Sequence, residues 1–400
     1  MEATYDGIKV LEVGQGIAGP HAGLLLAQHG ADVLKIEPLT GDWARPLGGA
    51  YGDVSAHFVS FNRGKRSLAL DLKQPQALAI ARRLAVEADV VIEAFRPGVM
   101  DKLGLGYAAL AADNPGLVYL SISGFGQTGP DAGRACVDSI AQSVSGFISI
   151  NRGNDGEPHK ISMIAMDVMT GLYGFQAVQA ALFARMRSGK GRHLDVSMMQ
   201  TAAAFQVAKI MEYHVEKGAP PDDIYVPIGV FRTAKGHLNI SAGFQPQFVT
   251  MLKTMGLDDV AADPRFQTVE GRRDHADALI PLFQAKLLER PAEDWVRLLR
   301  DAGLMSQKIN DYGEFLKEPQ AVATGAFTWL THDALGEIPV ANVPGAPPVP
   351  ADGPLARAPH LGEHSRGALT ALGFDDAAID RLVAEQAVGV YAPETQAAAE

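Results

Sequence analysis

The sequence predicts an α/β fold built on a Rossmann-like parallel sheet. Three observations carry that reading. Strand-like runs alternate with helix-like segments up to about residue 125, the runs are nearly continuous in apolar residues, and a glycine turn follows the first of them. Strands that are apolar on both faces need cover on both sides, which parallel strands with crossover helices supply.

The elements follow in order. "IKVLEV" (8–13) is a strand, and Gly14, Gly16 and Gly19 come next in G-x-G-x-x-G spacing. "GPHAGLLLAQHG" (19–30) is a helix and "DVLKIE" (32–37) a strand that ends on Glu37. This nearly matches the dinucleotide-binding fingerprint, strand, glycine turn, helix, strand, acid. The competing reading is that the glycines only let helix and strand pack closely. No second glycine turn follows, so the residues leave a nicotinamide dinucleotide unproven. After a Gly-rich loop (41–53) come the strand "SLALDL" (67–72), the amphipathic helix "PQALAIARRLAVEA" (75–88) and the strand "DVVIEAF" (89–95). A short helix near "VMDKLG" and the strand "LVYLSISGF" (117–125) complete the series, and "VMTGLYGFQAVQAALFAR" (168–185) suits a buried helix.

The character changes near residue 200. "HLNISAG" (237–243) is a strand, and three helical stretches follow. The last, "PAEDWVRLLRDAG", has Pro291 at the first helical position and Gly303 just past the end. The predicted organisation is a large domain begun by 1–200, a linker at 201–225 and a smaller α+β domain at 226–330. A Pro-rich linker at 331–360 and the C-terminal part of the large domain at 361–400 complete it, with "APETQAAAE" as a frayed tail.

The net charge of −11 argues against a nucleic-acid partner, which needs a basic surface to displace counterions. The start, "MEATYDGIKV", lacks signal-peptide character. The most apolar segment, 161–184, is broken by Asp167, glycines and Gln176, so it reads as core helix rather than membrane span. A cytoplasmic chain is expected. Cys136 is the only cysteine, which excludes an intrachain disulfide and suits a small buried residue.

Four features bear on chemistry. Arg63, Lys65, Arg66, Lys73, Arg96 and Lys102 concentrate cations near strand ends, where phosphates can be held by charge-assisted bonds. Solvated loops are the plain alternative for either cluster. Asp167 stands in "ISMIAMDVMTG" and reads as the N-cap of a helix beginning near Val168. A carboxylate so placed is expected to stay ionised, as a nucleophile must. "HLGEH" (360–364) spells H-x-x-E-H, but Pro359 and Gly362 make it a loop rather than a zinc-binding helix, and no metal is expected. Cys136 has no histidine partner evident in the sequence.

Taken together the chain resembles the family III CoA-transferases, which include formyl-CoA:oxalate and carnitine CoA-transferases. The matching stretches are "GIKVLEVGQGIAGP", "GADVLKIEP", "NRGKRSLALDLK", "ADVVIEAFRPGVMDKLGLGY", "NPGLVYLSISGFGQTGP", "MDVMTGLYG", "RSGKGRHLDVSM" and "LGEH", in family order from residue 7 to about 375. The resemblance implies a large domain built from both chain ends, an inserted smaller domain and two interlocked subunits in a homodimer. It implies that the glycine turn belongs to a CoA-binding fold, with CoA entering as substrate and no tightly bound cofactor. Ile17 and Ala18 match CoA contacts, as do Leu70, Asp71, Leu72 and Lys73, then Ala94, Phe95 and Arg96. Lys102 matches a phosphate-contacting base, Arg134, Ala135, Cys136 and Val137 a fourth segment, and Asp167 the catalytic aspartate.

The implied reaction moves CoA from an acyl-CoA, with succinyl-CoA the candidate donor, to a small carboxylic acid. It runs through aspartyl anhydride and aspartyl-CoA thioester intermediates. Oxalate-using relatives have Gln where this chain has Ile17 and Arg where it has Pro38, and carry consecutive glycines in the small domain. The nearest counterpart here is "SAGFQPQ" (241–247), so a larger or less polar acid is expected. The α-methylacyl-CoA racemases of the same superfamily need a His where "RACVD" places Val137, which cannot titrate. A CoA-binding protein without activity is the remaining alternative, and the intact Asp167 counts against it.

Overall fold

The computed structural model describes residues 3–152, 156–218 and 225–392. The chain divides into two compact units, one formed by Met1–Val207 with Ala323–Glu400 and the other by Ala208–Val322.

The first unit is organised by a sheet of seven strands. Six are parallel: β1 (Lys9–Glu12), β2 (Asp32–Glu37), β3 (Arg66–Leu70), β4 (Val90–Glu93), β5 (Val118–Ser123) and β6 (Arg192–Ser197). Their order is β3-β2-β1-β4-β5-β6. Alternate residues of each strand feed opposite cores, as the two-residue period of a strand requires. Val10, Val33, Val90 and Leu120 pack against the helices Ala18–Gln28 and Ala165–Ser188. Leu11, Leu34, Leu68 and Val91 pack against helix Pro75–Glu87 and the C-terminal helices Ser365–Ala371 and Asp376–Ala384. Close approach on the first face depends on small residues. A Cβ on Gly171 would sit 2.8 Å from the Ala18 carbonyl oxygen, and one on Gly174 would sit 3.1 Å from Leu120.

The second unit holds the antiparallel strands β7 (Ile228–Arg232), β8 (His237–Ser241) and β9 (Met305–Lys308) with helices around a core that includes Phe248, Phe283 and Trp295. Pro291 is the N-cap of helix Ala292–Asp301, one residue earlier than its expected position.

Several boundaries differ from expectation. The expected linker 201–225 begins inside a helix, because Ser197 and Gln200 form a capping box that starts Met198–Phe205. Helix Val207–Val215 follows, and residues 219–224 lie outside the described residues, as does the expected tail from 393. Residues 323–341, expected as the end of the small domain and the start of a linker, belong to the first unit. They form a hairpin of β10 (Phe327–His332) and β11 (Gly336–Ala341), whose Leu330 and Val340 pack on Val349. The last strand, β12 (Val388–Gly389), pairs antiparallel with β3, the one departure from an all-parallel sheet among the described residues. No helix among them is long and apolar enough to cross a membrane.

Candidate active site

The strand order reverses between β1 and β4, and an open doubly wound sheet takes its ligand in the crevice beyond the carboxyl ends at that point. The glycine turn after β1 and the segment Ala94–Arg96 after β4 line this crevice. Their closeness explains two of the glycines, since a Cβ on Gly14 or Gly19 would lie 3.3 or 3.2 Å from the Ala94 Cβ. Gly16 has φ +81°, and its added Cβ would meet Trp43 at 2.2 Å.

The turn is not an open dinucleotide site. The Gly16 N–H donates to the Asp42 carboxylate at 2.9 and 3.2 Å, so the chain supplies its own anion there. Asp42 in turn pairs with Lys35, which also meets Glu12, and the other oxygen of Glu12 meets Lys65 at 2.7 Å. All four side chains are fully buried. Glu37, the acid expected to read a ribose, is bound by Arg45 through two contacts of 2.7 Å and by the Ser67 hydroxyl at 2.6 Å. Burial opposes its ionisation, but Arg45 and Lys35 outweigh it and hold the carboxyl below its usual range.

The six candidate cations separate. Lys73, Arg96 and Lys102 are exposed at or near the carboxyl edge, following β3 and β4. Arg63 and Lys65 precede β3 and Arg66 begins it, at the opposite edge, and the three do not join them. Lys65 is consumed by Glu12, Asn62 and the Pro20 carbonyl, and Arg66 pairs with Asp32. Along the carboxyl edge, Leu70, Asp71, Leu72, Lys73 and Phe95 line a cleft of about 220 Å³ with Val13, Ile36, Pro38 and Leu103. Glu93, just before Ala94, accepts the Phe95 N–H at 2.8 Å and so fixes the start of that segment. Burial pushes its carboxyl up to about 7, against hydrogen bonds from Ser121 and the Phe95 N–H.

Asp167 lies elsewhere on its helix than expected. The helix starts at Ala165 with Ile164 as N-cap, so Asp167 is in the first turn rather than at the cap. The free N–H groups there are met by Asp138, whose Oδ2 accepts from Met166 at 2.7 Å and from Asp167 at 3.2 Å. The other oxygen of Asp138 is held by Gln142, which is fixed in turn by accepting the Ile161 N–H. Asp138 therefore takes the role that sequence reasoning assigned to Asp167, and it leaves the Asp167 carboxyl without that stabilisation. Burial, with the like charge of Asp138 second, pushes Asp167 up to about 7, against the expectation of a fully ionised group.

The segment Arg134–Val137 leads directly into Asp138. Arg134 pairs with Asp131 and lies over the Phe125 ring, Ala135 and Val137 are exposed, and Cys136 is half-buried rather than enclosed. Gly124 makes room for it, because a Cβ there would lie 2.1 Å from the Cys136 Cβ. Burial and the nearby Asp167 charge both raise the Cys136 thiol. Ile17 and Ala18 open the helix that crosses the Asp167 helix at Gly171. "HLGEH" is a turn leading into helix Ser365–Ala371. His360 bonds Asp53 and stacks on Tyr391, while His364 accepts the Ser67 N–H.

A family model described as CoA-transferase family III matches residues 5–365. The chain belongs to CoA-transferase family III. It is 36% identical over 384 residues to the succinate–glutarate CoA-transferase of Agrobacterium fabrum, covering 92% of this chain and 95% of that protein. It is 32% identical to the succinyl-CoA:glutarate CoA-transferase of Mus musculus, covering 94% and 88%. A CAIB/BAIF family crystal structure from Brucella suis superposes with a TM-score of 0.83 at 33% identity, over 93% of this chain and all of that one. These relatives make this CoA-transferase an enzyme of the acyl-CoA:carboxylate type, and they do not favour the racemase reading.

Sequence reasoning missed Asp138, Asp42 and Glu93. The available signal for each was a carboxylate at the edge of an otherwise apolar or glycine-bearing stretch, "CVDSIA", "TGDWA" and "VVIEAF".

Proposed function

We propose that this CoA-transferase moves CoA from succinyl-CoA to a carboxylic acid through covalent catalysis by Asp167. One observation carries the reading. Among the described residues the Asp167 carboxyl is drawn into no ion pair and meets no side-chain donor, beside Asp138, which directly follows a segment matched to CoA. Its proton affinity near neutrality then suits reversible use as nucleophile and leaving group.

The ionised Asp167 attacks the donor thioester carbonyl, forming a C–O bond as the C–S bond breaks, which leaves a mixed anhydride and CoA thiolate. The thiolate attacks the aspartyl carbonyl and expels the donor acid, leaving an aspartyl-CoA thioester. The acceptor carboxylate attacks that thioester, releasing thiolate and forming a second anhydride. Thiolate attack on the acceptor acyl carbon then gives the new acyl-CoA and restores Asp167. Each exchange is between activated acyl groups, so the sequence needs no external energy source.

The segments at Ile17–Ala18, Leu70–Lys73, Ala94–Arg96 and Arg134–Val137 would hold CoA, with Lys102 on a phosphate. The relatives' names support succinyl-CoA as donor and glutarate as the first acceptor to try. Ile17 and Pro38, in place of the polar residues of oxalate users, agree with a longer acid. The family resemblance also supports an interlocked homodimer with the 208–322 unit as an inserted small domain.

The test is intact-mass spectrometry after incubation with succinyl-CoA, followed by borohydride or hydroxylamine trapping and peptide mapping. A CoA-sized adduct on the Asp167 peptide, absent in Asp167→Ala, is expected. Transfer activity retained by Asp167→Ala would overturn the assignment. α-Deuterium exchange into a branched acyl-CoA, with no adduct from any donor, would replace it with the racemase reading.

A further inference from the structure

A cleft of about 610 Å³ lies within the first unit, and of the residues singled out from the sequence only Arg63, one of the six cations and not among those matched to CoA or catalysis, lines it. Its size falls in the range of small-molecule sites, roughly 300–1,000 Å³. Leu24, Val59, Leu172 and Ile338 give it apolar walls. Five polar side chains interrupt them. Three are already engaged, His21 with the Val168 carbonyl, Ser60 with the Ala56 carbonyl and Asn342 with the Gly325 carbonyl, which leaves Arg63 and Gln28 with unmet atoms.

Arg63 is only 3% exposed. Its Nη1 donates to the Leu355 carbonyl at 3.2 Å, while its Nε has no partner. Burial alone, with no acid nearby to offset it, pulls the guanidinium down to about 10, so it stays charged at neutral pH. The other buried cations described in this unit are treated differently. Lys35 and Lys65 share Glu12, and Arg45 sits on Glu37. A buried charge left unpaired is costly, and proteins pair or neutralise such groups. Gln28 adds a second unmet group, because its Oε1 is buried without a donor.

We propose that this cleft binds an amphipathic monocarboxylic acid, with the carboxylate on Arg63 and the aliphatic chain along Leu24, Val59, Leu172 and Ile338. The guanidinium fork matches a carboxylate, and one cation among apolar walls suits one negative charge. A dicarboxylate would bring a second charge, and His21, the other basic side chain of the lining, is pushed toward its neutral form by burial. The Gln28 amide, turned over, would offer Nε2 to the same carboxylate. The site is separate from Asp167 and does not depend on the transferase mechanism.

The test is calorimetric titration of the intact enzyme with octanoate and with octan-1-ol, each with and without saturating CoA. Octanoate is expected to bind in both conditions, roughly 10- to 100-fold more tightly than the alcohol, as a charged hydrogen bond implies. Arg63→Met should remove that difference. Leu172→Trp, which narrows the cleft without touching the guanidinium, should weaken both ligands, and it decides the matter if Arg63→Met does not fold. Equal octanoate affinity in wild type and Arg63→Met, or unchanged affinity in Leu172→Trp, would overturn the proposal. So would loss of octanoate binding when CoA is present, which would move the ligand to the catalytic site. Absence of octanoate binding together with a looser subunit association in Arg63→Met would also overturn it, by assigning the counter-charge to a second copy of the chain.

Discussion

Replacing Asp138 with Asn tests the relation between the two carboxylates most directly. The amide oxygen of Asn can still accept the Met166 and Asp167 N–H groups, so the helix start is kept. Gln142 loses its anionic partner, at a cost to stability of about 1 kcal/mol. What disappears is the like charge beside Asp167. Burial is the larger cause of the high Asp167 pKa, so removing the smaller one should lower its midpoint from about 7 by roughly one pH unit, or about 1.4 kcal/mol. Near pH 6 the ionised fraction would then rise from about one tenth to about one half, a gain of about fivefold. Near pH 8 Asp167 is already ionised in both forms, so the rate should hold or fall slightly, because a less basic carboxylate attacks more weakly. The assay is single-turnover formation of the CoA adduct from succinyl-CoA, read by mass across pH 5–9. An acid limb that stays in place, or moves to higher pH, would refute the electrostatic account of this pair.

The Asp167→Asn variant should be more stable than wild type at pH 8, on the order of 1–2 kcal/mol after allowing for partial exposure, and equal to it near pH 4. The sign follows because the folded state holds this proton after the unfolded state has lost it, so wild-type stability falls as pH rises toward 7. Denaturant melts at the two pH values check it, and a variant less stable at pH 8 would contradict the raised pKa. Lys65→Met should destabilise by about 3–5 kcal/mol, since it leaves one oxygen of the buried Glu12 uncompensated. A loss of unfolding free energy in urea of less than about 1 kcal/mol would show that Lys35 alone suffices. Arg96→Ala and Lys102→Ala should raise the KM for acyl-CoA with little change in kcat, because exposed cations at the crevice act on binding rather than on the reacting carbonyl. A kcat loss with unchanged KM would assign them a different role.

Much of the first unit was legible because its signals are local. Val10–Leu11, Val33–Leu34 and Val90–Val91 are apolar on both strand faces, and that alone calls for a parallel sheet with helices on both sides. The helix Pro75–Glu87 carries its start in Pro75 and its buried stripe in Ala77, Ile80, Ala81 and Ala85. Segments whose pairing is short or returns from far away were not legible. β12 contributes two residues to β3 from the other end of the chain, and the hairpin 327–341 was hidden beside a proline-rich run.

The sequence by itself determined the strands β1 to β5 and β8, the glycine turn and the ordered motifs that identify the family. Only the tertiary structure decided which charges meet. Gly16 is answered by Asp42, 26 residues away, and Glu12 by Lys65, 53 residues away, which takes the Gly16 N–H and Lys65 out of the groups free to meet a ligand anion. The Asp167 helix is capped by Asp138, 28 residues before Met166, and Arg63 is buried with no acid beside it. Periodicity and turn chemistry are written over a few neighbouring residues. The energy of a charge depends on what folding places around it, and that is set by distance in space.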